Sequence, residues 1–446
     1  MSAQSIPLPQ QYVEQMKSLL GEADFFLYEN AMNRTPVRGL RINALKAPLE
    51  KALELIGEAL CPVPWTEHGF YYEEALHPGQ SPLHDAGLYY IQEPSAMSAA
   101  ALLNPRPGEW VLDLCAAPGG KSTQIAASLM GEGLLVSNEP NPSRARVLSS
   151  NIERMGVRNA IVTCEMPERL AAVFPETFDR ILVDAPCSGE GMFRKTPESR
   201  LEWHPGSVLK CSELQASILQ AAAKMLKPGG TLVYSTCTHN KTENEENIER
   251  FLSKHTDFSL VPFSLPGLSE SQGMLHLFPH EIRGEGHFLA KMERAPGEEH
   301  RTAIRGKREK PDLPPLYSIN RDANLFSHGD KIWLCPQNFD PTCLAGLRWL
   351  RCGLALANRK GKLLEPDHAA GMALTPGEVT NSHAIDLEEL RRYQAGEVLS
   401  GNPGRGFVVL FYEGIPVGLG KASDGVIKNH YPKGLRNMYS KPKKDV

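Results

Sequence analysis

Long apolar runs are missing from this sequence of 446 residues. No stretch of about 18 consecutive apolar residues occurs, so we expect no membrane-spanning helix and no membrane partner. The opening residues, MSAQSIPLPQQYVEQMKSLL, also lack the basic start and apolar segment of a secretory signal. We therefore expect a cytoplasmic protein.

Closely spaced cysteines and an excess of positive charge are missing as well. The nine cysteines include no C-x-x-C pair, so we expect no metal site. The formal net charge is −4, so a nucleic-acid surface would have to be a local basic patch. Basic residues cluster at two places, namely Arg301, Arg305, Lys307, Arg308 and Lys310, and Lys421, Lys428, Lys433, Arg436, Lys441, Lys443 and Lys444. Such clusters are also common on solvated surfaces, so both interpretations remain open.

Short apolar segments alternate with helical patterns over residues 96–293. The predicted strands are WVLDLCA, GLLVSNE, NAIVTCE, RILVDAP and GTLVYSTC, all rich in Val, Ile and Leu. Most are separated by helical patterns such as KSTQIAASLM and SRARVLSSNIERMG. This alternation predicts an α/β domain with a mostly parallel sheet and helices on both faces.

Smaller units are predicted on both sides of this domain. Residues 1–95 combine a helical pattern from Pro9 to Leu20 with RGLRINALK, a short strand that leads into a helix, which predicts a small α+β domain. Residues 294–315 form a charged linker with several prolines. Residues 316–385 predict an intermediate domain, and residues 386–446 contain GRGFVVLFYEGIPVGLGKA, which predicts a β-hairpin, followed by a basic tail.

A glycine-containing loop follows the first strand of the α/β domain. In DLCAAPGGK, residues 113–121, Gly119 and Gly120 allow a ligand to approach the backbone, and the following helix presents free N–H groups. Glu139 ends the second strand, where a nucleotide-binding sheet places a carboxylate for ribose hydroxyls. A tight turn beside an unrelated Glu is the alternative. The loop matches neither G-x-x-x-x-G-K-[ST] nor G-x-G-x-x-G.

Two further strand ends carry reactive side chains. Asp184 and Cys187 follow the fourth strand in DAPCSGEG, and Cys237 follows the next strand in STCTH. Both strand ends of a parallel sheet open into the same ligand crevice. A thiolate that adds to carbon 6 of cytosine makes carbon 5 electron-rich enough to accept a methyl group, which is covalent catalysis. A buried cysteine at a strand end is more often a packing residue, so neither cysteine would be convincing alone.

These motifs resemble those of the NOP2/Sun family of RNA cytosine-5 methyltransferases, which includes bacterial small-subunit rRNA enzymes. The resemblance covers about residues 35–293. It rests on RGLRINALK, YYIQEPSAM, DLCAAPGGKSTQIA, NPSRARVLSSNIERMG, DAPCSGEGMFRKTPE, LKPGGTLVYSTCT and GEGHFLAKM. The end of the chain, VGLGKASDGVIKNHYPKGLR, resembles the PUA-like RNA-binding region of the F branch of those bacterial enzymes.

The resemblance implies a class I, Rossmann-like methyltransferase that uses S-adenosyl-L-methionine. It implies Cys237 as the nucleophile and Cys187 as the residue that assists product release. The third candidate catalytic residue is Asp184, whose carboxylate can hydrogen-bond the cytosine edge or move a proton. The implied cofactor contacts are Cys115, Ala116, Ala117, Pro118, Gly119, Gly120, Lys121, Glu139, Glu165 and Asp184. The candidate RNA contacts are Arg41, Asn43, Arg194, Lys195, Lys428, Lys433 and Arg436. The expected partner is RNA, best 16S rRNA or the small ribosomal subunit, and we expect a monomer.

Two positions depart from the family pattern, and two rival functions remain. The third cofactor motif usually offers an Asp, whereas this strand ends at Glu165, and His287 stands where an aromatic residue is common. Methylation of an exocyclic amine is the nearer rival, but its enzymes carry Pro-Pro and an aromatic where Ala-Pro-Cys occurs here. An RNA-binding assembly factor without catalysis is the other rival, which Asp184, Cys187 and Cys237 argue against.

Overall fold

The computed structural model describes residues 6–298, 311–320 and 322–436. The α-helices are α1 (Gln10–Met32), α2 (Leu49–Ile56), α3 (Pro82–Asp85), α4 (Met97–Leu103), α5 (Gly120–Leu129), α6 (Pro142–Arg154), α7 (Pro167–Val173), α8 (Ser199–Glu202), α9 (Pro205–Met225), α10 (Glu245–Lys254), α11 (His368–Ala373) and α12 (Leu387–Gln394). The helix predicted from Pro9 to Leu20 is present, and α1 continues past a break at Gly21, whose φ is 79°.

Strands of the N-terminal and central regions are β1 (Gly39–Ile42), β2 (Cys61–Pro62), β3 (Gly69–Tyr71), β4 (Tyr89–Ile91), β5 (Trp110–Asp113), β6 (Leu134–Asn138), β7 (Ala160–Thr163), β8 (Phe178–Asp184), β9 (Leu226–Thr236), β10 (Phe258–Leu260), β11 (Met274–Leu277) and β12 (His287–Arg294). Those of the C-terminal region are β13 (Leu325–His328), β14 (Lys331–Leu334), β15 (Trp349–Cys352), β16 (Leu354–Lys360), β17 (Leu363–Pro366), β18 (Ser382–Ile385), β19 (Leu399–Ser400), β20 (Gly406–Tyr412), β21 (Ile415–Ser423) and β22 (Val426–Asn429).

The central sheet confirms the predicted α/β fold. Its order is β10-β12-β9-β8-β5-β6-β7-β15, with β11 paired to β12. Strands β5 to β9 run parallel to their neighbours within that set. Alternate residues enter two different buried clusters: Leu112 and Val136 lie in one, and Val111 and Leu135 in the other. Because side chains alternate along a strand, the sheet is covered on both faces.

One strand of the predicted intermediate domain belongs to the central sheet. β15 runs antiparallel to β7, with Trp349 opposite Thr163 and Cys352 opposite Ile161. The prediction that residues 316–385 are separate from the α/β domain is therefore wrong at this strand. The physical reason is that the outer edge of β7 has unpaired N–H and C=O groups, which a later segment of the chain satisfies.

The N-terminal and C-terminal regions share one hydrophobic core. β1 to β4 form one small sheet, and β18, β20, β21, β22 and β19 form another. Leu40 and Leu88 from the first region pack in the same buried cluster as Leu390, Val408 and Leu410 from the second. The predicted hairpin is present as β20 and β21. In the described part of the chain, no helix has both the length and the apolar character needed to cross a bilayer.

Candidate active site

The loop after β5 is held in place by hydrogen bonds to its carbonyl groups. Arg144 Nη2 donates to Ala117 O at 2.9 Å, and Asn151 Nδ2 donates to Pro118 O at 2.9 Å, both from α6. Gly119 has a φ of 115°, a left-handed conformation that favours glycine. α5 begins at the next residue, so its first N–H groups face the crevice. The loop is therefore a fixed cradle of backbone groups.

Carboxylates flank this loop on the neighbouring strands. Glu139 follows β6, is 4% exposed, and accepts from Asn141 N at 2.9 Å, while Arg144 Nη1 lies 3.2 Å from its other oxygen. Asp184 ends β8 on the other side of β5. A carboxylate on each side of a glycine cradle suits a nucleoside with hydroxyl groups and a positive centre, so these residues fit S-adenosylmethionine.

Asp113 lies beneath the loop, at the end of β5. Its Oδ2 accepts from Ser122 Oγ at 2.6 Å, and its Oδ1 is buried without a hydrogen-bond partner. Burial raises the pKa of Asp113 to about 7, against the opposing effect of the Ser122 hydrogen bond. Near neutral pH this carboxyl group is therefore close to half protonated.

Asp184 is an ionised acceptor at the centre of the crevice. Lys121 Nζ donates to its Oδ2 at 2.8 Å, and Ser235 Oγ donates to its Oδ1 at 2.8 Å. His287 Nε2 lies 3.5 Å from the same Oδ1. Burial alone would raise the pKa of Asp184, but Lys121 and His287 outweigh it and hold the pKa well below its usual value. The departure from an aromatic at position 287 thus places a nitrogen beside this carboxylate.

Cys187 and Cys237 are brought together by the ends of β8 and β9. Their Sγ atoms are 3.2 Å apart, and both side chains are partly exposed. The hydrogen bond with Cys237, together with burial, raises the pKa of the Cys187 thiol well above its usual value. Cys187 therefore keeps its proton and can donate it in a hydrogen bond to the Cys237 sulphur.

A buried polar network connects the two cysteine loops. Ser188 Oγ and Thr238 Oγ1 are 2.9 Å apart, and Asn240 Nδ2 donates to both Glu190 Oε1 at 3.0 Å and Glu243 Oε1 at 2.8 Å. Glu190 and Glu243 are each 0% exposed. These supporting residues are not among those predicted from the sequence. The sequence feature that indicates them is the run of mostly polar residues immediately after each cysteine, SGEG after Cys187 and THNKTEN after Cys237.

Glu165 lies next to the crevice but is engaged elsewhere. Its Oε1 accepts from Arg348 N at 2.7 Å, and its Oε2 lies 3.2 Å from Arg169 Nη1 and 3.6 Å from Arg348 Nη2. The carboxylate is 0% exposed. The structure thus places Glu165 in contact with the segment before β15, with both of its carboxylate oxygens engaged by that segment and by α7.

Three predicted RNA contacts are buried and paired within the protein. Arg41 donates to Gln92 Oε1 at 3.0 Å and to Gly120 O at 3.0 Å, so it supports the cofactor loop. Asn43 Nδ2 donates to backbone carbonyls at 2.8 and 2.9 Å. Arg194 Nε pairs with Glu285 Oε2 at 2.6 Å. In this conformation these three side chains stabilise the fold, because contact with RNA would require their hydrogen bonds and ion pair within the protein to break.

The other predicted RNA contacts lie at the surface. Lys195, Lys428 and Lys433 are exposed, and Arg436 is partly exposed. The rest of the basic tail and the basic cluster at 301–310 lie outside the described residues. Within the ranges that the structure describes, no group of three or more His, Cys, Asp or Glu residues is arranged to hold a metal ion.

Known families match three parts of the chain. Residues 100–293 match the family described as 16S rRNA methyltransferase RsmB/F. Residues 8–94 match the N-terminal domain of 16S rRNA methyltransferase RsmF, and residues 380–437 match the methyltransferase RsmF PUA domain. The matches thus extend from the N-terminal sheet, through the crevice, to the C-terminal sheet.

Curated relatives are similar over nearly the full chain. Ribosomal RNA small subunit methyltransferase F of Vibrio vulnificus is 35% identical and aligns with 97% of this chain and 98% of its own length. The protein of the same name from Erwinia tasmaniensis is 32% identical over 96% of each chain. A solved methyltransferase homologue from Pyrococcus horikoshii is 30% identical, with a TM-score of 0.58, and covers 65% of this chain and 96% of its own.

The parallel sheet, the glycine cradle and the flanking carboxylates define the class: this is an S-adenosylmethionine-dependent methyltransferase. Similarity over nearly the full length then assigns its place within that class. The chain belongs to the 16S rRNA methyltransferase RsmB/F family, and its N-terminal and PUA domains are those of the F branch.

Proposed function

We propose that this chain methylates carbon 5 of cytosine in 16S rRNA. The observation that carries the proposal is the pair of sulphurs of Cys187 and Cys237, which lie 3.2 Å apart where β8 and β9 end, and β8 itself ends at Asp184. Methylation of an exocyclic amine needs no thiol. The relatives are named as small-subunit rRNA methyltransferases, which supports rRNA as the substrate.

The two cysteines divide the chemistry between them. The Cys237 thiolate adds to carbon 6 of the cytosine, and carbon 5 becomes the nucleophile. Cys187 is protonated and donates its hydrogen bond to the Cys237 sulphur, which positions that sulphur as its bond to carbon 6 forms and later breaks. The proton on carbon 5 passes to water as the double bond re-forms and the bond from Cys237 to carbon 6 breaks.

S-adenosylmethionine supplies the electrophilic methyl group when it is bound. Glu139 accepts hydrogen bonds from the ribose, and the backbone of residues 115–121 holds the rest of the molecule. Asp184, kept ionised by Lys121, accepts a hydrogen bond from the exocyclic amine of cytosine. We assign RNA contact to the exposed Lys195, Lys428 and Lys433 and to Arg436, in a monomer acting in the cytoplasm on rRNA or the small subunit.

Covalent trapping tests the assignment of the two cysteines. With transcribed 16S rRNA and S-adenosylmethionine, the Cys187→Ala variant will accumulate a protein–RNA adduct visible as a shifted band on a denaturing gel. The Cys237→Ala variant will form no adduct and transfer no methyl group. Sequencing the methylated RNA will place the new group on carbon 5 of cytosine.

Cys61→Ala is the matched control, because Cys61 is an exposed cysteine in β2. It will methylate RNA at the wild-type rate without accumulating adduct. Full methylation by Cys237→Ala would refute the nucleophile assignment, and methyl groups only on exocyclic amines would refute the proposed reaction.

A further inference from the structure

A cleft of about 670 Å³ lies between α6 and the region that follows the linker. One wall is formed by Pro142 and Arg146 of α6 and by Cys164, which follows β7. The other is formed by Phe326 and His328 of β13, by Pro341 and Thr342, and by residues 344–350. None of the roles assigned above uses this cleft.

Aromatic rings form the second wall. The rings of Phe326 and His328 are nearly parallel, with centroids 6.0 Å apart, and the ring of Trp349 lies 4.7 Å from that of His328. His328 is exposed, and the other two are partly exposed. Trp333 packs against Trp349 from the buried side. Partly exposed aromatic rings held on a rigid base are suited to stack on nucleobases.

Cationic side chains surround the cleft and are only partly neutralised. Arg146 is exposed and makes no hydrogen bond or ion pair with any residue in the described part of the chain. Arg169 and Arg348 share the single carboxylate of Glu165, and their side chains are 56% and 59% exposed. Three guanidinium groups against one carboxylate leave a net positive charge, which attracts phosphate.

The cleft opens on the same edge of the sheet as the reactive cysteines. Cys164 and Pro142 follow the carboxyl ends of β7 and β6, just as Cys237 follows the carboxyl end of β9. Four strand spacings separate β7 from β9 in the sheet, or about 19 Å. A single strand of RNA with its target base at Cys237 can therefore continue along this edge to the cleft.

We propose that this cleft binds an unpaired nucleotide of the RNA substrate several residues from the target cytosine. Its base stacks on the exposed face of the His328 ring, which contacts the rings of Phe326 and Trp349, and its flanking phosphates contact Arg146 and Arg348. The inference rests on the proposed function, since it takes RNA as the substrate. The cleft gives the RNA a second point of attachment, which fixes the direction in which the RNA strand crosses the edge of the sheet.

RNA affinity measured without cofactor tests this site separately from methyl transfer. The His328→Ala variant will bind transcribed 16S rRNA roughly 5- to 150-fold more weakly than wild type in a filter-binding assay. The His328→Tyr variant, which keeps an aromatic face, will restore most of the affinity. The Arg146→Ala variant will bind more weakly and will reduce the slope of log affinity against log salt by about one.

Arg106→Ala is the matched control, because Arg106 is exposed but precedes β5 at the opposite edge of the sheet. It will leave RNA affinity unchanged, and all four variants will bind S-adenosylmethionine as wild type does by calorimetry. Wild-type RNA affinity in both His328→Ala and Arg146→Ala would overturn the cleft proposal. So would a loss of cofactor affinity in these variants, which would assign the cleft to the cofactor site. Failure of the wild type to methylate RNA would instead refute the proposed function.

Discussion

Asp113 is a carboxyl group that folding encloses under the cofactor loop. Its pKa is raised to about 7, whereas an exposed Asp titrates near 3.9. Between these two values the folded protein holds a proton on Asp113 that the unfolded chain has released. This residue therefore lowers the free energy of unfolding as the pH rises from about 4 to about 7.

Asp113→Asn removes this titration and will change the pH dependence of stability. Near pH 4 the carboxyl group is mostly neutral in the folded protein, so the variant differs little from wild type through charge. Between pH 4 and pH 7 the free energy of unfolding of wild type falls relative to that of the variant. The total change over this interval is on the order of 4 kcal/mol. Urea unfolding at a series of pH values measures the difference.

Asp312→Asn controls for the loss of one carboxylate, because Asp312 is exposed. Its stability will follow that of wild type across the same pH range. If the difference between Asp113→Asn and wild type stayed constant with pH, the raised pKa of Asp113 would be wrong.

At the residue scale, sequence predicts reactive groups better than it predicts the partners of charged groups. Cys187, Cys237 and Asp184 meet because each ends a strand of a parallel sheet, a geometry that the pattern contains. The prediction that Arg41 and Arg194 contact RNA rests on the resemblance of their motifs to those of RNA methyltransferases. Their partners, Gln92 and Glu285, are distant in sequence, so no local pattern indicated burial.

At the scale of elements, the two loops that carry the cysteines are fixed to each other through their backbones. Gly191 N donates to Cys237 O at 2.7 Å, and a Cβ on Gly191 would lie 2.8 Å from that same oxygen. Glycine is needed here for close approach of the two backbones. The distance between the sulphurs therefore depends on a position that carries no reactive group.

Gly191→Ala will separate these loops and slow catalysis. A displacement approaching 1 Å in the reacting groups costs about 100-fold in kcat. Affinity for S-adenosylmethionine will be unchanged, because the substitution does not contact residues 115–121. Single-turnover methylation and calorimetry measure the two quantities.

Gly377→Ala is the comparison, since a Cβ at Gly377 would have no heavy atom within 4 Å. It will show wild-type kcat. An unchanged kcat for Gly191→Ala would show that the spacing of the loops tolerates this crowding.

Strand prediction succeeded where composition was decisive and failed for β15. The core strands β5 to β9 are rich in Val, Ile and Leu and are separated by helices, which is the pattern of a parallel sheet. β15 has the sequence WLRC, which is short and includes Arg351. Arg351 is nevertheless 2% exposed, because it pairs with Glu153 of α6 at 2.7 Å. That pairing depends on tertiary structure.

At the scale of the whole molecule, the outer regions form one unit. Lys46 Nζ donates to Met372 O and, at 2.9 Å, to Pro416 O, and Arg158 pairs with Glu378 at 2.7 Å. With the shared core, the Lys46 bonds join the two ends of the chain, and the Arg158–Glu378 pair ties the C-terminal region to the α/β domain. The predicted domain boundaries divide the sequence into segments, but buried contacts connect residues on different sides of those boundaries. Sequence patterns do not show which apolar faces pack against each other.

Leu410→Ala will destabilise the whole chain through this shared core. Leu410 is 0% exposed, and such truncations cost about 2–5 kcal/mol. The five tryptophans, at positions 65, 110, 203, 333 and 349, all lie outside the C-terminal sheet that β18 to β22 form. Their fluorescence will therefore report a lower unfolding midpoint only if that sheet unfolds together with the rest.

Leu435→Ala is the control, because Leu435 is 42% exposed. Its midpoint will match that of wild type. A normal fluorescence midpoint for Leu410→Ala, together with early loss of the C-terminal sheet in hydrogen exchange, would mean that the C-terminal region unfolds independently.

The pairing of β15 with β7 has a consequence during synthesis on the ribosome. Trp349 is made about 190 residues after Thr163, its partner in the sheet. At roughly 5–20 residues per second, a nascent chain spends about 10–40 s with that flank of the sheet uncovered. An uncovered strand invites pairing with other chains, so this interval is when a growing polypeptide most needs a chaperone.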